Sequence, residues 1–306
     1  MARARLRTRR VQVFLRGGLG NQLFQYAFGL HLSNQAEKEL ILRTDLLPLR
    51  EDQIAGVSRW PNQLETFSHS GRTFARSHQP RVKTNLFGKI MQVQRMLGNH
   101  ASWLLESLGI YAAENDTFKI RKSSAGIIWM INGYALTSQY ALQGRDQLLK
   151  ELKSLRAPSS AFQNLKEEAY LLNPVMVHVR LGDYVSLAEI YGELRETYFA
   201  QALALLGEKP GPVWIFTQDN TELPEPILKT LNPQKIIDSK TVASPIENLI
   251  LMSLGRALIC SNSTLSWWAA FLHRESDRVV APFYHGKTSI FEQPMTLDGW
   301  RVIDAN

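Results

Sequence analysis

Dense apolar runs punctuate the chain at Val11–Leu15, Glu39–Arg43, Ile127–Ile131, Val175–Arg180, Val213–Thr217, Lys235–Ile237, Ala257–Cys260 and Arg278–Ala281. Runs this short, rich in Val, Ile and Leu and bounded by polar clusters, predict strands buried on both faces. Helical spacing fills most of the intervals. It follows Gly17-Gly18-Leu19-Gly20-Asn21-Gln22, covers 139–155 through Leu142, Leu148, Leu149, Leu152 and Leu155, and recurs at 195–207, 245–255 and 265–272. Strands alternating with helices predict an α/β chain on mainly parallel sheets. Between residues 51 and 125 no period holds, and helices and loops are expected there. Ala157-Pro158-Ser159-Ser160 reads as the linker. It divides the chain into an Arg-rich tail over 1–10, a first domain over 11–158 and a second over 159–306.

A length of 306 residues suits two domains, and 44% apolar with 21% charged residues is the balance of a soluble globular protein. The net charge of +7 points to nucleic acid only until it is located. Arg3, Arg5, Arg7, Arg9 and Arg10 supply five of the seven charges, and residues 1–10 hold no acid. The remainder is close to balance, so no nucleic-acid partner is expected. The tail reads as a solvated, flexible end, with peripheral attraction to an anionic membrane surface as the alternative. No apolar run approaches the ~20 residues that span a bilayer. The expected location is therefore cytoplasmic, at most peripheral at the inner face of the membrane. The single cysteine, Cys260, excludes an intramolecular disulfide and reads as a buried small residue.

The polar clusters fall where strands end, which is where ligands bind in sheets of this kind. His178 and Arg180 alternate onto one face of a strand, about 6.6 Å apart along it, and Leu181-Gly182-Asp183-Tyr184 follows. The run ending at Phe216 leads into Thr217-Gln218-Asp219-Asn220, and the run ending at Cys260 into Ser261-Asn262-Ser263-Thr264. Each has a plainer explanation. His178 can be a satisfied core histidine, Arg180 and Asp183 a structural ion pair, Asn262 or Ser263 a helix cap, and Trp267, Trp268 and Phe271 core. Together the clusters outline a crevice suited to a phosphorylated ligand, with a capped helix start and one fixed cation. No D-x-D, H-x-H or H-E-x-x-H occurs, so no metal site is expected.

Taken in order, GGLGNQLFQYAFG, HVRLGDYV, IFTQDN and CSNSTLSWWAAFL resemble the bacterial α-1,2-fucosyltransferases of glycosyltransferase family 11, over about residues 11–285. The resemblance implies a GT-B-like α/β architecture, two Rossmann-like domains facing across a cleft, with the acceptor held mainly by the first and the GDP-sugar by the second. It implies an inverting, metal-independent transfer of L-fucose from GDP-fucose to a galactose hydroxyl, with no further cofactor and a galactose-terminated glycan as acceptor. Carried over, Arg180 resembles the arginine that grips the donor diphosphate. His178 and Asp219 resemble nucleotide contacts, Asp219 facing guanine, and Asn262, Ser263 and Thr264 the phosphate-binding turn. Gly18, Gly20 and Asn21 resemble the first-domain loop that reaches toward the donor sugar. Many relatives carry a second arginine where this chain has Leu181, and an acidic pair where it has Thr217-Gln218-Asp219. For the base that receives the acceptor proton, Asp183 ranks ahead of Glu189 and Glu193, although pairing with Arg180 would suppress its basicity. Two other readings remain open: a fucosyltransferase of another linkage, and a non-catalytic GDP-sugar- or carbohydrate-binding protein on the same fold.

Overall fold

The computed structural model describes residues 10–44, 47–48, 52–54, 57–74, 110–112, 127–131, 134–180, 194–207, 211–283 and 295–304. In chain order the elements begin with β1 (Arg10–Phe14), α1 (Leu19–Ala36), β2 (Glu39–Arg43), β3 (Asp52–Ile54) and β4 (Val57–Arg59). They continue with β5 (Arg72–Phe74), β6 (Ile110–Ala112), β7 (Ile127–Ile131), α2 (Ser138–Gln143), α3 (Arg145–Leu152) and α4 (Ser160–Leu172). Next come β8 (Val175–His178), α5 (Glu196–Leu205), β9 (Val213–Phe216), α6 (Glu225–Leu231), β10 (Lys235–Ile237) and α7 (Pro245–Met252). The last are β11 (Ala257–Ile259), α8 (Thr264–Leu272), β12 (Val279–Pro282) and β13 (Arg301–Ile303).

The chain separates into two compact units. One comprises Met1–Arg50, Trp60–Asn62 and His69–Leu148; the other comprises Glu51–Arg59, Gln63–Ser68 and Leu149–Asn306. The main passage between them falls at Leu148–Leu149, where the sequence reading puts it at 158–159. Arg10, grouped with the tail from sequence, begins β1 and pairs with Glu39; residues 1–9 lie outside the described residues.

The first unit is built on a parallel sheet in the order β5-β2-β1-β7-β6. Helix α1 covers it and is buried on nearly every side, its polar Gln22 and Gln25 included. Gly29 permits that closeness, since a Cβ there would stand 2.7 Å from Val13 Cγ2 and 2.8 Å from Leu40 Cδ1. The helical pattern expected over 139–155 is broken into α2 and α3 at Gly144.

The second unit carries a six-stranded parallel sheet in the order β10-β9-β8-β11-β12-β13, with β3 and β4 as a separate antiparallel pair. Counted along the chain, the sheet runs 3-2-1-4-5-6, the doubly wound order. Every predicted strand of this sheet is present, and backbone bonds carry three of them past their last residues. Val179 N donates to Phe216 O (2.9 Å), Thr217 N to Ile237 O (3.0 Å) and Cys260 N to Val280 O (2.8 Å). Val175, Val177 and Val179 join Tyr198, Phe199 and Ala202 of α5 in one core cluster. Alternation turns Met176 and His178 to the opposite face.

Within the Ala157–Ser160 stretch, read from sequence as the linker, one residue is firmly held. Ser159 caps α4, its Oγ accepting from Phe162 N at 3.1 Å. Its own amide donates to Glu247 Oε1 (2.6 Å) and its hydroxyl to Oε2 (2.8 Å). Glu247 is buried on α7, so this stretch is fastened to the second unit. Among the described residues no helix is long and apolar enough to cross a membrane.

Candidate functional site

The strand order of the second unit reverses between β8 and β11, and both neighbours run parallel, so their carboxyl ends open one crevice. Val177 pairs with Ile259 at the end of the ladder. Beyond it the two strand ends deliver His178 and Ser261 to each other, with Nδ1 and Oγ 2.8 Å apart. Two of the three polar clusters of this half of the sequence therefore meet at the switch. The third, after β9, lies beside β8 on its other flank.

His178 is 5% exposed. Burial pushes its pKa down from 6.5 to about 3, with the Arg180 charge acting in the same direction. The imidazole is neutral at every working pH. Its tautomer follows from the hydroxyls behind it. Ser266 on α8 directs its one proton at the carbonyls of Ser261 (3.0 Å) and Ser263 (3.1 Å). Ser266 Oγ lies 3.5 Å from Ser261 Oγ, at the limit of a hydrogen bond. The Ser261 proton is better placed on Nδ1, which leaves the ring proton of His178 on Nε2. Tyr198 fixes the strand end from beneath by donating to Cys260 O at 2.6 Å.

Arg180 lies two residues beyond β8, half-buried, and Asn262 sits in the turn after β11, also half-buried. Ser263 is the N-cap of α8, its Oγ accepting from Leu265 N at 3.3 Å, and Thr264 is the first helical residue. The positive end of α8 thus stands at the crevice beside the Arg180 strand end. Asp219 ends the β9 turn, and its Oδ1 accepts from both Thr221 N (2.9 Å) and Thr221 Oγ1 (2.8 Å). Those two bonds hold its pKa below the usual carboxylate value, backbone first. Capping uses one oxygen of Asp219; the other takes no part in it. Asp183, Leu181, Glu189 and Glu193 lie outside the described residues.

Trp267, Trp268 and Phe271 are core, as their plainer reading had it, with Trp267 and Phe271 stacked at 5.5 Å. Cys260 is buried and its thiol pKa is raised by desolvation, which makes it inert.

In the first unit, Gly18, Gly20 and Asn21 lie at the start of α1, after β1. The residue of this turn that needs to be glycine is Gly17, at φ +74°, which is not among the donor-site residues carried over from the resemblance. Gln22, next to Asn21 in the sequence, is turned inward. Its buried Nε2 donates to Gly17 O (2.8 Å) and Pro61 O (2.9 Å), clamping two segments together. Gln25 does the same for Arg16, accepting from its amide at 2.8 Å and donating to its carbonyl at 3.3 Å. Their total burial is visible only once α1 is seen to be enclosed.

The family model for glycosyl transferase family 11 matches residues 10–304. The chain belongs to that family. Among curated relatives, this family 11 glycosyltransferase is 27% identical to an α-1,2-colitosyltransferase of Escherichia coli, over 84% of this chain and 86% of the relative. It is 22% identical to the O-antigen biosynthesis glycosyltransferase WbnK of Escherichia coli, over 94% and 98%. A crystal structure of the α-1,6-fucosyltransferase NodZ, soaked with GDP-fucose, superposes with a TM-score of 0.48 at 13% identity, covering 95% of this chain and 99% of that one.

Proposed function

We propose that this family 11 glycosyltransferase moves L-fucose from GDP-fucose to the 2-hydroxyl of a terminal galactose, with inversion and without a metal ion. The observation that carries the reading is the pairing of His178 with Ser261 across the β8/β11 switch, which sets a neutral imidazole beside Arg180 at the capped start of α8. The α-1,2 activity in the name of the Escherichia coli relative supports the linkage.

In this reading the diphosphate leaves against groups already in place, which is where preorganised donors act most strongly. Arg180 supplies a positive charge, His178 an Nε2–H donor that brings no charge of its own, and Asn262, Ser263 and Thr264 the helix start. Asp219 meets the guanine edge through its second oxygen alone, because Oδ1 is occupied. Gly18, Gly20 and Asn21 face the donor sugar, and Asp183, with Glu189 and Glu193 as alternatives, takes the acceptor proton.

A second reading is favoured by the same relative's name: colitose is fucose without its 3-hydroxyl, and a site for one sugar can admit the other. Incubating purified enzyme with GDP-fucose or GDP-colitose, with and without a β-galactoside, separates these. Galactoside-dependent GDP release with GDP-fucose, and an α-1,2 linkage by NMR, are expected. Release with GDP-colitose alone selects the second reading, and no release with either leaves a binding protein. Excess EDTA is expected to leave most of the rate; a loss restored specifically by Mn²⁺ or Mg²⁺ overturns the donor site as drawn.

A further inference from the structure

The first unit has a switch of its own. Its sheet order places β1 beside β7, so the turn after β1 and the segment after β7 emerge at neighbouring strand ends. Two aromatic rings flank that turn. A Cβ on Gly18 would lie 3.4 Å from Trp60 Cδ1, and a Cβ on Gly17 3.1 Å from Tyr134 Cε1. Each ring stands against one of two consecutive glycines, at a distance that a bare backbone permits.

The arrangement is held from inside. Gln22, fully buried, donates to the carbonyls of Gly17 and of Pro61, the residue next to Trp60. The clamp therefore fixes the Trp60 segment against the glycine turn. Tyr134 is 39% exposed and Trp60 half-buried, so both keep surface for a ligand. The amide of Asn21 comes to the same place: its Nδ2 lies 2.7 Å from the point where the Gly17 Cβ would be, against 3.1 Å for the Tyr134 ring.

We infer that Trp60, Tyr134 and Asn21 form a binding site for a hexopyranoside, the acceptor galactoside of the proposed reaction. A pyranose has a face of C–H bonds and a rim of hydroxyls. The π-face of an aromatic ring is electronegative and suits the first, and an amide with donors and an acceptor suits the second. A few polar groups among aromatic surfaces are the usual composition of a small-molecule site. A purely structural role would bury the rings, as Phe24, Tyr26 and Phe28 of α1 are buried. Asn21 is also the residue proposed above to face the donor sugar. The acceptor identity rests on that proposal; the pyranoside site does not.

Tyr134→Ala tests it, because a residue this exposed can be truncated without loss of the fold, verified by an unchanged Tm. The KM for the galactoside rises about ten-fold, the loss of one ring contact of about 1.4 kcal/mol. The KM for GDP-fucose stays at its wild-type value, and Tyr134→Phe restores the acceptor KM. Saturation-transfer NMR with methyl β-D-galactopyranoside reads binding without turnover, and the signal drops in Tyr134→Ala. An acceptor KM that does not move, or a KM for GDP-fucose that rises in step, overturns the site while leaving the fucosyltransferase reading intact. A Tyr134-dependent transfer signal in a protein that moves no fucose has the opposite result: the site stands and the reaction falls.

Discussion

Arg180→Lys is expected to lower kcat by about 10²–10³-fold, the cost of removing one preorganised donor from a developing anion. The substitution keeps the charge and removes the planar fork that can hold two phosphate oxygens together. The structure places Arg180 at the carboxyl end of the central strand β8, half-buried, with its charge felt by His178. A point charge on a flexible stem can satisfy the ground state there but not the geometry of departure. GDP affinity should therefore fall less than the rate, since the contact that strengthens is made as the bond breaks. The Tm should scarcely change. Near-normal turnover in the Lys variant, or inactivity explained by unfolding, would take Arg180 out of the mechanism and return it to the structural ion-pair reading.

The second large effect is on stability in acid. Denaturant titrations should give a constant free energy of unfolding down to about pH 6.5 and a decline below it. His178 has its pKa lowered from 6.5 to about 3 in the fold, by burial first and Arg180 second. Between those values the unfolded chain binds a proton that the folded chain refuses. Its contribution is therefore complete above 6.5 and is lost as pH falls through the window, at up to about 1.4 kcal/mol per pH unit. His273, buried and likewise lowered from 6.5, adds a slope of the same sign. Asp219 and Asp238 are also lowered, but from 3.8, so their loss is confined to stronger acid. His31, lowered from 6.5 by burial, adds to the same slope, so among the described residues the interval from pH 6.5 to 4.5 belongs to three histidines. His178→Asn should flatten the slope there, and His178→Asn with His273→Asn and His31→Asn should nearly abolish it. A wild-type profile flat across that interval, or a slope that the triple variant retains, would show that these rings are not held neutral.

The second sheet was legible because parallel strands buried on both faces must be short, continuous and apolar, and Val213–Phe216 or Ala257–Ile259 can be little else. The same runs end in polar turns, so His178, Ser261 and Ser263 could be placed near one another from spacing and the strand-end rule alone. What the sequence hides is partnership over distance. Ser159 looks like a linker residue because Glu247, which holds it, lies on a helix far along the chain. Gln22 looks like a ligand group beside Asn21 because nothing local reveals that α1 is enclosed. Edge strands as short as β5, β6 and β13 carry too few residues for a period. Trp60 stands in a stretch without periodicity, and only the glycine turn it packs on gives it meaning.

The order of strands in the first sheet also sets how that sheet must form. β1 pairs on one side with β2, soon after it in the chain, and on the other with β7, Arg10 lying opposite Ile127. A contact across more than a hundred residues closes a long loop before any of its bonds form, and sheets made of such contacts fold slowly. As the chain leaves the ribosome, β1, α1 and β2 emerge together and wait for β7 with one edge of the central strand open. That edge, Val11, Gln12 and Val13 among its residues, is the surface most exposed to wrong pairing during synthesis, and the glycine turn after β1 takes its final shape only when β7 arrives.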